Sequence, residues 1–298
     1  MVVIDLFNEM MTYPFMVRAF IAGTLVALCA SLLGVSMVLK RYSMIGDGLS
    51  HVGFGALAIA TSLHLAPLAV SLPVVVAAAF LLLRIKESSK IKGDAAIAII
   101  STGSLAVGVM VISMTTGMNT DTCNYLFGSI LGVNQSEVAL TVGLSIAVLL
   151  LFVLFYNRIF SVTFDETFAK ATGTKADLYN MLIAILTAFT IVLGMRTMGA
   201  LLISSLIIFP ALSSMRIFKQ FKAVVISSAV ISIICFVSGL TMSYVYATPT
   251  GASVAILNIA VFLIFSAIGW IRGKGLGSTR KAGAITVTCV CIQCELRY

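Results

Sequence analysis

Apolar runs of about the length that a membrane-crossing helix needs, roughly 20 residues, recur along this chain of 298 residues with only short polar breaks between them. No other feature narrows the fold as much. The chain is 60% hydrophobic and 10% charged, with a mean hydropathy of +1.12, whereas about a quarter of the residues in a soluble domain are charged. Water cannot be the solvent of most of such a surface, so the sequence predicts one all-α, polytopic membrane domain.

The runs set out a topology. They extend from about Phe15 to Leu39, Tyr42 to Leu63, Pro67 to Arg84, Asp94 to Thr116, Val138 to Tyr156, a sixth reaching Leu193, a seventh ending at Met215, Ala223 to Tyr246 and Gly251 to Ile271. Basic residues cluster at Lys40 and Arg41, from Arg84 to Lys92, at Arg216, Lys219 and Lys222, and at Arg272 and Lys274. About nine spans, with eight to ten possible, bring these clusters to one side, which the positive-inside rule makes cytosolic. The N-terminus then lies outside and the C-terminus inside. Arg196, in a short break with Gly194 and Gly199, is the exception, expected to pair with a carboxylate in a path through the membrane or to mark a displaced boundary. The segment Leu126 to Gly132, in a polar outer loop, is the candidate for a re-entrant stretch.

With 19 Lys and Arg against 11 Asp and Glu, the formal charge is +8. That excess sits between apolar runs, which excludes nucleic acid as the expected partner and leaves membrane lipid. The start, Met1 to Asp5 with Glu9 beyond, lacks the basic opening of a cleaved signal. Six cysteines form no secreted-type framework.

The chemistry concentrates in Gly46-Asp47-Gly48-Leu49-Ser50-His51-Val52-Gly53-Phe54-Gly55. Asp47 and His51 are four apart, so a helix puts them on one face, where a carboxylate oxygen and an imidazole nitrogen can hold one ion. A carboxylate deep in a membrane helix is unfavourable by about 2.5 to 3.5 kcal/mol on insertion scales, so such residues usually line a pathway or bind something. The small residues around them let backbones approach closely or let an ion pass. The bland alternative is that Asp47 and His51 only pair with each other or with backbone. Two ligands do not complete a site, and the rest must come from other helices, a second copy or water. An oxygen and an imidazole suit manganese, iron and zinc alike.

Gly46 to His51 reproduces a Gly-Asp-x-Leu-Ser-His motif, and through it the chain resembles the permease subunits of manganese, zinc and iron ABC importers, the ABC-3 family. Further matching segments follow in the family's order: Lys92-Gly93-Asp94, Leu126 to Leu131, Gly199 to Leu202 with Pro210-Ala211, and Pro249 to Ala252. The likeness covers about Val17 to Ile271. It implies a type II-like importer permease in the bacterial cytoplasmic membrane, with Asp47 and His51 on the metal path. It also implies a partner ABC ATPase that uses the ATP, an extracytoplasmic metal-binding protein, and a second permease copy or a related permease. No permanently bound cofactor is implied; the divalent metal is cargo.

Phe164 to Gly173 reads as a short amphipathic cytosolic helix that closes at Gly173, with Phe164, Phe168 and Ala171 on an apolar side. A plain surface loop is the alternative. The family resemblance makes it a coupling helix that docks on the ATPase, with Phe164, Asp165, Glu166, Phe168, Ala169 and Gly173 as the coupling residues. The chain itself is not expected to be an enzyme: Gly273 to Thr279 is glycine-rich and basic, yet no Gly-Lys precedes Ser or Thr and no strand leads into it. The expected organisation is a permease domain over 1–274, including the coupling element 164–173, and a cytosolic tail over 275–298. In the tail, Cys289, Cys291 and Cys294 offer thiols that could bind a soft metal or sense redox state, although three ligands without a nearby His fall short of a structural zinc site and a disordered tail is the expected reading. His64 reads as an interfacial residue at an outer helix end, and Asp121 and Cys123 stay outside the proposed site.

Two other function classes compete. A secondary divalent cation/proton antiporter would use Asp47 and His51 without needing a docking helix. A membrane enzyme would need a nucleophile or a second catalytic cluster, and neither is recognisable.

Overall fold

The computed structural model describes residues 9–88, 93–115 and 135–275. Every regular element among them is a helix. In chain order these are α1 (Pro14–Leu39), α2 (Ser43–Ser62), α3 (Pro67–Ser88), α4 (Gly93–Met114), α5 (Gln135–Leu154), α6 (Tyr156–Phe164), α7 (Glu166–Ala171), α8 (Ala176–Met198), α9 (Ala200–Ile217), α10 (Phe221–Tyr246) and α11 (Thr250–Gly275).

Eight of the described helices are long and apolar enough to cross a bilayer. The ninth long helix is α2, 20 residues whose glycines, serines and Asp47 dilute its hydropathy. It packs along α4 and α3 and also touches α8 and α9, so protein rather than lipid surrounds most of it. With α2, the long helices among the described residues number nine, in line with the expected number of spans.

α1 and α8 are the most enclosed helices; α4, α5 and α11 turn most of their surface outward. Exposed Ile99, Met110, Leu150, Val153, Leu263 and Trp270 form the outward apolar surface that a bilayer would solvate. Between helices the driving force in lipid is close packing, not burial from water, so small residues mark the contacts. A Cβ on Gly34 of α1 would fall 2.1 Å from the Ile207 carbonyl oxygen of α9, and one on Gly55 of α2 would fall 2.7 Å from that of Ser104 in α4. Backbone lies against backbone at both places.

The expected break at Gly194 is absent. α8 continues through Gly194 and Arg196 to Met198, and the chain turns at Gly199, whose φ of +92° suits glycine. Gly194 serves packing, because a Cβ there would collide with Ile203 and Val26. Arg196 donates to Glu137 Oε1 at the start of α5, through Nη2 at 3.0 Å and Nε at 3.3 Å. The arginine expected outside thus has a carboxylate partner, but at the head of α5 and not beside Asp47. His64 occupies the left-handed position after α2, with φ +54°, where its N–H bonds the Thr61 carbonyl at 3.1 Å and that of Leu65 bonds Ala60 at 2.9 Å. Those paired bonds close the end of the helix.

Leu126 to Gly132, Asp121, Cys123 and the cysteine-bearing part of the tail lie outside the described residues.

Candidate functional site

α2 enters from the side that carries Lys40 and Arg41, and Asp47 and His51 open its second and third turns, one above the other as their spacing requires. His51 Nε2 lies 3.7 Å from Asp47 Oδ2. That separation is too long for a good hydrogen bond. With metal–ligand bonds of about 2.0–2.2 Å, an ion between the two atoms would subtend roughly 115–135°.

Both side chains open onto a cleft of about 500 Å³ between α2, α9 and α11, which Ser50, Ser204 and Ser205 also line. Most of its other walls are apolar, with Leu201, Ile208, Phe209 and Ile259 among them. Asp47 keeps 41% of its side-chain surface and His51 keeps 25%, so the carboxylate faces the open space while the ring is more enclosed. His51 Nδ1 is buried with no hydrogen-bond partner among the described residues. A buried polar atom left in that state costs about 1–3 kcal/mol, so the ring is held at some expense in stability.

Ser50 joins the two walls. Its hydroxyl donates to the Asp47 carbonyl at 2.7 Å and lies 3.3 Å from the hydroxyl of Ser204 on α9. Sequence reading missed Ser204, because nothing local relates positions 154 residues apart. Among the described residues no group of three or more His, Cys, Asp and Glu gathers anywhere. The glycines of α2 serve packing: Gly53 faces Met195 of α8, Gly55 faces α4, and Gly46 faces Ile207 of α9.

The segment 164–173 departs from the single helix expected there. α6 ends at Phe164, Asp165 is extended, and α7 begins at Glu166. Asp165 causes the break, since its carboxylate accepts from the Phe168 N–H at 2.9 Å and caps α7. That N–H, followed by the Thr167 hydroxyl, holds the Asp165 carboxyl below the usual carboxylate range.

The expected apolar side is also divided. Phe164 turns inward, its ring centroid 4.8 Å from that of Phe160 and 5.7 Å from that of Phe221 at the head of α10. Phe168 and Ala171 are exposed, and Ala169 is the residue that packs inward with Val162 and Ala176. The reason is the short helix: six residues capped at Asp165 give one buried position and leave Phe168 61% exposed. Gly173 terminates the element with φ +79°, as its residue type predicts.

Charges fasten this element. Glu166 lies 3.7 Å from Lys40 and 3.0 Å from Lys170, and accepts from Asn180 Nδ2 at 3.1 Å. Burial pushes the Glu166 carboxyl up, but hydrogen bonds from Lys170 and Asn180 and the charges of Lys40 and Lys170 outweigh it and hold the group low. Lys170 also meets Asp177 at 2.9 Å, and Asp177 with Glu166 raises its ammonium above the ordinary lysine range.

The chain is 28% identical over 252 residues to the manganese import system permease protein ScaB of Streptococcus gordonii, covering 85% of this chain and 90% of that one. It is 27% identical over 247 residues to the high-affinity zinc uptake system membrane protein ZnuB of Haemophilus influenzae, covering 83% and 94%. Among solved structures it is similar to PsaBC from Streptococcus pneumoniae in complex with Fab, with a TM-score of 0.79, 28% identity, and coverage of 88% of this chain and 95% of that one. A family model described as ABC 3 transport family matches residues 12–269. Because that match takes in the helices from α1 through nearly all of α11, the chain belongs to the ABC 3 transport family.

Proposed function

We propose that this chain is the membrane permease subunit of an ATP-driven importer that moves a divalent transition metal ion, manganese, zinc or iron, into the bacterial cytoplasm by alternating access. The observation that carries the reading is the Asp47–His51 pair, 3.7 Å apart and open to a cleft in a helix otherwise enclosed by protein. Relatives named for manganese import and zinc uptake support the choice of cargo.

Cargo binding needs an ionised Asp47 and a neutral His51, each offering a lone pair. One chain then supplies one negative charge and two ligands. A second copy facing it would supply the same again, giving two charges against a dication and an oxygen-and-nitrogen set of four, the number a tetrahedral site takes. The apolar walls keep the field of those carboxylates from being screened by water. The ion would be handed over from outside by an extracytoplasmic metal-binding protein.

A separate ABC ATPase would dock on α7. Phe168, an aromatic ring left exposed on a cytosolic element, is the anchor such a partner would cover. An antiporter has no use for that element, which favours the ATP-driven reading.

Metal accumulation by cells tests the proposal. Asp47→Ala and His51→Ala are each expected to abolish uptake while the permease still co-purifies with its ATPase. Normal accumulation in both variants would overturn it.

A further inference from the structure

We propose that Lys40, gripped by Glu166 and Asn180, is the positioning residue that carries movement of α7 to α2, and so links the ATPase-docking element to the metal-binding helix. The proposal rests on the reading above and adds the mechanical route.

Lys40 caps the C-terminal end of α1, yet its side chain is only 6% exposed. A lysine is seldom buried unless it is paired. Here the ammonium lies 3.7 Å from Glu166 Oε2 and donates to Asn180 Oδ1, while Asn180 Nδ2 donates to the same Glu166 oxygen at 3.1 Å. Three side chains from three elements therefore close on one another: the end of α1, the first turn of α7 and the first half of α8. Glu166 stands next to Asp165, the residue that starts α7, so the cluster holds the docking element at its base.

On its other side Lys40 is fastened to α2. Only Arg41 and Tyr42 separate it from that helix, and this link is stiff. Arg41 is left-handed, at φ +58°, and is closed by its own N–H to the Val38 carbonyl at 3.0 Å and by the Tyr42 N–H to the Met37 carbonyl at 2.7 Å. The Lys40 ammonium also lies over the Tyr42 ring, 5.8 Å from its centroid. Beside Lys40 and Asn180, Ile45 and Leu49 of α2 help to line a small cavity of about 10 Å³. Leu49 lies between Asp47 and His51 in sequence, so a displacement of the cluster reaches the binding helix within its first two turns. The aromatic contacts of Phe164 and Phe160 lead instead to Phe221 and α10. The polar cluster is thus a direct connection from α7 to α2, of the contiguous kind that can carry coupling between sites.

The test uses the full importer, with permease, ATPase and binding protein reconstituted in liposomes, and reads metal ions moved per ATP hydrolysed. Lys40→Met and Asn180→Leu are expected to leave the ATPase bound and hydrolysing, because neither side chain faces the docking surface. Each should lower the metal-to-ATP ratio about tenfold, on the scale by which one ligand's binding affects another's in coupled sites. Lys40→Arg, which keeps the charge and a donor, should keep a substantial part of the ratio that Lys40→Met loses. A loss of packing alone would instead favour Met, the closer match to lysine in shape. An unchanged ratio in Lys40→Met and Asn180→Leu would overturn the proposal, as would a fall in transport that merely tracks lost complex, or a fall in Lys40→Arg as large as in Lys40→Met. Phe168→Ala separates this from the parent reading: if it too leaves the ratio and the ATPase association unchanged, α7 is not the docking element. If it uncouples while Lys40→Met does not, docking stands and the Lys40 route falls.

Discussion

Alanine at Gly55 and at Gly103 should behave in opposite ways, although the two glycines lie on the facing helices α2 and α4. A Cβ at Gly55 would stand 2.7 Å from the Ser104 carbonyl oxygen, about 0.7 Å inside the 3.4 Å at which ordinary contact begins. The obstacle is backbone, so no rotamer change relieves it and the helices must separate. At Gly103 the added methyl meets nothing within 4 Å. Both changes gain the same preference of alanine over glycine for helix, up to about 1 kcal/mol, so comparing them cancels that gain. What is left is overpacking at Gly55, which typically costs about 1–3 kcal/mol. His51 is one turn before Gly55 on α2, so the displacement also reaches the site. Thermal melting of the purified permease in one detergent should therefore rank Gly55→Ala below Gly103→Ala, and metal uptake should fall only in the former. Equal melting and equal uptake would refute the inference that α2 and α4 touch backbone to backbone at this point.

Two further outcomes follow from other contacts. Arg196→Met removes two charge-assisted hydrogen bonds to a carboxylate only 18% exposed, and should destabilise the permease by about 1–3 kcal/mol in chemical denaturation, with Glu137→Gln giving a smaller loss. Asp165→Ala removes the cap of α7, worth about 1 kcal/mol, and hydrogen exchange at the Phe168 amide should quicken. Because the folded Asp165 carboxyl lies below its unfolded value, its contribution is complete above that unfolded value, near pH 4, and disappears as pH falls through the folded one. In the native protein, amide protection beyond the intrinsic pH dependence of exchange should weaken in that acid window and not above it.

The bilayer made much of the fold legible in advance. Spans such as Pro14–Leu39 and Phe221–Tyr246 follow from hydropathy, which acts locally, and the basic clusters orient them. Asp47 and His51 were readable for the same reason, since one helical turn relates them. Lys40 looked like an ordinary basic residue at a span end, because its counter-ion and its amide are 126 and 140 positions away. Ser204 was hidden in the same way. In the segment 164–173 the residue types were informative at the ends, where Gly173 closed the turn, but the inward rotation of Phe164 depends on Phe221, a partner that no local pattern reveals. Gly194 misled because glycine in an apolar run can mark either a break or a close helix contact, and only the position of Ile203 decides between them.

The central claim is that Asp47 and His51 hold the transported ion. X-ray absorption of zinc or manganese trapped in the intact importer tests it most directly. The account predicts nitrogen and oxygen neighbours with imidazole scattering, at about 2.0–2.2 Å for zinc, with the imidazole signal lost in His51→Ala and the bound metal itself reduced in Asp47→Ala. An unchanged spectrum and unchanged metal content in both variants would contradict it.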